Sequence, residues 1–145
     1  MIMDAIELKI LIGLHRVSNE IDRRTTRIVK CYGLSMGQFA VLEALFHKGD
    51  LTIGQVQEKI LSTSGTIPVI IKNLEKRGLL IRLPDAGDKR KCILHITEQG
   101  SSLIQQVYPE NEAMIIESMH NWTNDEKCEL LKLLKKFGGG TWKEK

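Results

Sequence analysis

The sequence predicts a mostly α-helical fold with one small β-hairpin, set between long helices at either end. Three observations predict it. Apolar residues recur at spacings of three, four and seven over most of the chain, the period of a helix. That period gives way to alternation only around a dense turn signal, Pro84-Asp85-Ala86-Gly87-Asp88. Ser and Thr residues suited to cap a helix precede most of the helical stretches.

The elements follow in order. Residues 4–31 predict a long amphipathic helix, with Ile6, Ile10, Gly13/Leu14, Val17, Ile21 and Ile28 along one stripe. About 28 helical residues span about 42 Å, more than a domain of this size can cover, so the stripe calls for a second chain. Tyr32-Gly33 ends this helix, the glycine being suited to a left-handed turn. Ser35 caps a helix over about 36–47 carrying Phe39, Val41, Leu42 and Leu45. Lys48-Gly49-Asp50 is a turn and Leu51 a short extended piece. Thr52 caps a helix over about 53–60 with Ile53, Val56 and Ile60 inward. Ser62-Thr63-Ser64-Gly65 breaks the chain before a helix that reaches Arg77 and closes at Gly78. Leu79–Leu83 and Cys92–Ile96 are the hairpin strands. Thr97 opens a long helix to about Asn121, which Pro109 should kink. Thr123 opens a last one, rich in leucine, which Gly138-Gly139-Gly140 ends; the tail beyond, Thr141–Lys145, should fray.

Composition bounds the function. With 145 residues, 42% hydrophobic and 27% charged, the chain can bury roughly 70% of its unfolded surface as one globular domain, which excludes disorder. Its apolar runs, such as Ile67–Ile71, fall far short of the ~20 residues of a membrane span. Asp4, Glu7 and Lys9 interrupt the amino end in a way no secretory signal would. Three scattered cysteines, Cys31, Cys92 and Cys128, make no disulfide framework, and a reducing cytoplasm is the expected location. The net charge of +3 is unevenly spread. Residues 1–50 carry seven basic and six acidic side chains, residues 51–96 eight and four, residues 97–145 six and eight. A basic middle calls for an anionic partner. No glycine loop suited to phosphate and no spaced Ser/His/Asp set points to an enzyme, and no cofactor is expected.

Three short helices followed by a two-stranded hairpin are the winged helix-turn-helix arrangement, whose third helix enters the major groove of DNA. On that helix Ile67, Ile70, Ile71 and Leu74 keep core spacing. Ser64, Thr66, Pro68, Val69, Lys72, Asn73 and Lys76 lie on the other side. Small residues at its amino end, Gly65 among them, let the backbone approach a phosphate. Lys72 and Lys76 lie one turn apart, in reach of phosphates or bases. The hairpin tip, Asp88-Lys89-Arg90-Lys91, presents three cations, and an Arg there can enter a narrow minor groove. Asp88 can pair with Arg90 and hold the tip in shape.

These residues resemble the MarR (multiple-antibiotic-resistance regulator) family of winged-helix transcriptional regulators. The matching pieces are Leu34-Ser35-x-x-Gln38-Phe39-x-Val41-Leu42, Ser64-Gly65-Thr66, Leu74-Glu75-Lys76-Arg77-Gly78-Leu79, Asp88-x-Arg90 and Ile96-Thr97-Glu98-x-Gly100. The resemblance covers residues 34–100 closely and the flanking helices loosely. It implies a homodimer, with residues 1–33 and 101–145 forming the dimerisation helices and 34–100 the DNA-binding domain. It further implies a pseudo-palindromic double-stranded operator, read as a repressor by two recognition helices about one turn, ~34 Å, apart. One departure is Pro68-Val69, where many members carry Thr-Arg. Proline lacks an N–H and belongs in the first helical turn, and Val69 suits a thymine methyl where an Arg would read guanine.

The resemblance also implies a small aromatic, phenolic or quinone effector bound between the dimer body and the winged domain, with His15, Arg16, Met36, Phe39 and Tyr108 as candidate lining residues. Two alternatives stand beside it. One is a redox-sensing repressor switched through Cys31, whose neighbours Arg27 and Lys30 favour a thiolate. The other is a winged-helix protein-interaction module, against which the wing cations argue. His15, His47, His95 and His120 show no helical pairing, and no metal site is expected.

Overall fold

A computed structural model describes residues 5–60 and 67–138 of the chain. Six helices appear among them: α1 (Ile6–Lys30), α2 (Met36–Lys48), α3 (Ile53–Lys59), α4 (Ile67–Lys76), α5 (Glu98–Ser118) and α6 (Asn124–Leu134), followed by a 3-10 turn at Lys135–Phe137. The strands are β1 (Leu51–Thr52), β2 (Leu80–Pro84) and β3 (Cys92–Ile96). This is the mostly helical winged helix-turn-helix fold. Two compact units divide the chain, one up to Met114 and the other from Ile115 onward. No helix among the described residues is long and apolar enough to cross a membrane.

Local chemistry starts the helices where the sequence predicts. Ser35, Thr52 and Thr123 each accept a hydrogen bond from the backbone N–H three residues on, and Gln38, Gln55 and Glu126 reach back to the cap's own N–H. These reciprocal bonds satisfy donors that a helix start leaves open. The bonds from Thr123 to the Glu126 carboxylate hold it below the usual carboxylate range.

The core of the first unit is built around α2, which is buried on several sides through Gly37, Phe39, Val41, Leu42 and Leu45. Val29 of α1, Val56 of α3, Ile71 and Leu74 of α4, Leu80 and Leu94 of the sheet, and Ile104 and Val107 of α5 complete it. Each such side chain contributes about 1.5–3 kcal/mol by leaving water. Between α1 and α5, Thr25 Oγ1 donates to Asn111 Oδ1 at 2.8 Å in a buried site. Just past α1, a hydrogen bond to Glu110 raises the Tyr32 phenol above its ordinary range.

Three expectations need correction. The hairpin is part of a three-stranded antiparallel sheet in the order β1-β3-β2, because Leu51 and Thr52 pair with Leu94 and Ile93. Pro84 does not merely bound β2 but ends it, paired with Cys92, which the edge position permits since that strand faces no further partner. Helix α5 ends at Ser118, three residues before Asn121, with Pro109 inside it. Within the single chain α1 buries Thr25 and Val29, and Ile28 of the predicted stripe packs against the core. From Ala5 to Asn19 every residue of that stretch is exposed.

Candidate nucleic-acid interface

Helix α4 divides as its periodicity predicts. Ile67, Ile71 and Leu74 are buried and Ile70 is half-buried. Pro68, Val69, Lys72, Asn73 and Lys76 are all exposed on the opposite side. Pro68 is the second residue of α4, where its missing N–H costs no helical bond. Val69 leaves 56% of its surface in solvent. Ser64, Gly65 and Thr66 lie outside the described residues. Glu75 shares this helix but is drawn sideways: Arg82 of β2 holds it at 3.3 Å.

The wing tip is shaped by two aspartates. Asp85 Oδ1 accepts from Gly87 N at 3.1 Å, and Asp88 Oδ1 accepts from Arg90 N at 3.0 Å. Lys91 N donates to the Asp88 carbonyl at 3.0 Å, closing the turn. The predicted Asp88–Arg90 pair is present, with Arg90 Nε 3.3 Å from the same Oδ1. An exposed ion pair of this kind adds little stability. Its effect is on geometry, because it fixes the root of a side chain that is otherwise 92% exposed. The Arg90 guanidinium therefore projects from a braced loop, flanked by the exposed Lys89 and Lys91.

Sequence reasoning missed the neighbours of the wing. An open cleft of about 500 Å³ between α3 and the wing is lined by Thr52, Ile53, Gly54, Gln55, Glu58, Arg90, Lys91 and Cys92. His95 of β3 stands with Nδ1 2.6 Å from Asp50 Oδ1, tying β3 to the turn before β1. No spacing rule relates residues so far apart in the chain.

The other candidates are dispersed. His15 and Arg16 lie on the uncovered half of α1, and Met36 is half-buried at the start of α2. Phe39 belongs to the core, and Tyr108 packs against it. The Tyr108 ring lies 4.7 Å from that of His47. Burial first, and then a hydrogen bond to Glu112, raise its phenol. Cys31 is exposed after the last turn of α1, its thiol donating to the Arg27 carbonyl at 3.4 Å. Among the described residues no three His, Cys, Asp or Glu side chains gather as metal ligands.

Comparison with known proteins adds to this geometry. The profile of the family described as Transcriptional regulator SarA/Rot matches residues 15–107. The HTH-type transcriptional regulator MhqR of Bacillus subtilis (strain 168) is 35% identical over 131 residues, 90% of either chain. A mutant MarR from E. coli, solved in complex with operator DNA, is 28% identical with a TM-score of 0.78, over 92% of this chain and 95% of that one. The organohalide-sensing regulator RdhR, solved with 2,4-dichlorophenol bound, is 26% identical with a TM-score of 0.79, over 93% and 80%.

Proposed function

The chain belongs to the MarR-type, SarA/Rot-related family of HTH transcriptional regulators, and from that premise we propose that it is a homodimeric repressor. It binds a pseudo-palindromic duplex and is released by a small aromatic or phenolic effector. The observation that carries the DNA reading is the braced wing: an Arg90 side chain 92% exposed and rooted by Asp88. Its partner surface is the outward face of α4, where Val69, Lys72, Asn73 and Lys76 are available to base edges and phosphates. The basic middle of the chain supplies the field that attracts a polyanion.

The test is a gel-shift titration of its own promoter fragment with excess nonspecific DNA. Arg90→Ala is expected to weaken operator binding by about 1–3 kcal/mol and leave the oligomeric state unchanged. Operator affinity equal to wild type would remove Arg90 from the interface. A protein that shows no preference for the promoter fragment would favour an interaction module.

The effector class is supported by the phenol bound in the related RdhR structure. In the same titration 2,4-dichlorophenol is expected to lower operator affinity through a coupling of about 1–3 kcal/mol. Cys31→Ser should respond as wild type does. With a benzoquinone, which adds to a thiolate, in place of the phenol, a Cys31→Ser protein that holds DNA where wild type releases it would replace reversible binding with thiol addition at that exposed residue.

A further inference from the structure

Three helix ends meet at one place in the first unit, joined through backbone carbonyls. The carboxyl end of α1 closes at Gly33, with φ 73°, where Leu34 N donates to the Val29 carbonyl. The carboxyl end of α4 closes the same way at Gly78, with φ 72°, where Leu79 N donates to the Leu74 carbonyl. Arg77 Nη1 spans the two ends, donating to the Gly33 carbonyl at 2.7 Å. On the other side Thr97 Oγ1 donates to the Gly78 carbonyl at 2.7 Å and accepts from Gly100 N at 3.1 Å, so the residue that caps α5 also grips the end of α4. Arg77 and Thr97 thus hold the α4 terminus from opposite sides.

Lys76 and Arg77 are adjacent cations at the carboxyl end of α4. The structure separates them. Both are exposed, but the Arg77 guanidinium is tied to the Gly33 carbonyl after α1, and no such tie holds Lys76 to α1. A cation at the carboxyl end of a helix is favoured by the carbonyls there, and a charge-assisted bond to one is short and directional. We propose that Arg77 is a positioning residue that sets the angle of α4 against α1, and through it the separation of the two α4 helices in the dimer. This rests on the DNA-binding reading above. Arg77 itself touches no DNA and so carries no phosphate charge.

The experiment uses the full-length protein and duplexes bearing two half-sites selected from a random pool, with the centre-to-centre spacing varied base pair by base pair. Wild type should prefer one spacing sharply. Arg77→Gln should flatten that preference and lower the ratio of operator to nonspecific affinity about tenfold, while its nonspecific affinity and salt slope stay those of wild type. Lys72→Ala, placed on the phosphate-facing side, should do the reverse: retain the spacing preference and make the salt slope shallower by about one per arm. Arg77→Lys keeps a cation able to reach a carbonyl and should recover part of the preference; it carries the comparison if Arg77→Gln unfolds. A shallower salt slope for Arg77→Gln would make Arg77 a phosphate contact and overturn the proposal. So would a spacing profile that overlays wild type. A wild type without preference for any selected duplex would overturn the DNA-binding reading and this proposal with it.

Discussion

Gly100→Val is expected to lower the stability of the protein by about 3 kcal/mol, at the upper end of what overpacking costs. Gly100 is buried in the first turn of α5, and a Cβ there would collide with the Leu79 carbonyl oxygen and lie 2.9 Å from Ile96 Cγ1. The colliding atom belongs to the backbone and also accepts from Thr97 N at 3.1 Å, so it cannot move aside without breaking that bond. In urea unfolding at fixed protein concentration, with a slope near 2 kcal/mol/M, the midpoint should fall by roughly 1.5 M. The control is Gly54→Ala in exposed α3, where the nearest atom to a new Cβ is Thr52 Oγ1 at 3.9 Å. That change should stabilise by about 0.5–1 kcal/mol through lost backbone freedom in the unfolded chain. Equal midpoints for Gly100→Val and wild type would mean that α5 does not seat on the corner between α4 and β2.

The second large effect concerns assembly. Val17→Asp should convert a dimer into a monomer without unfolding the winged domain. Ile6, Ile10 and Val17 are 66%, 49% and 60% exposed along one stripe of α1, where nothing in the first unit covers them. An aspartate there meets only water in the single chain, but a buried carboxylate in a dimer would have no partner to offset its desolvation. Sedimentation equilibrium should report one protomer mass. Operator affinity should drop by at least about 100-fold, since linked half-sites gain about 10²–10⁴ over one arm. A variant that sediments as two protomers would place the interface elsewhere on the chain. A monomer with full operator affinity would sink the two-half-site geometry.

Much of the geometry of the candidate site was legible because it is local. The partition of α4 into buried Ile67, Ile71 and Leu74 and exposed Lys72, Asn73 and Lys76 follows from a 3.6-residue period. The Asp88–Arg90 brace spans two residues. The candidate effector residues were not legible in the same way. Of the candidate lining residues, Phe39 and Tyr108 are apolar or ring-bearing for the sake of the core they pack in, and an aromatic within a helix reads the same in either role.

The sequence by itself determined where helices begin, through Ser35, Thr52 and Thr123 and the residues three places on, and which face of the recognition helix and which wing residues meet solvent. Hydrogen bonds across three residues and repeats of three or four positions need nothing from the rest of the molecule. Tertiary structure alone decided that Leu51 and Thr52 join the sheet, that Thr25 and Val29 are the side chains α1 buries within the chain, and that Arg77 holds the turn after α1. A two-residue strand has no period to detect. The Arg77–Gly33 bond closes over 44 residues, and a side chain finds a carbonyl at that distance only after packing has brought two helix ends together.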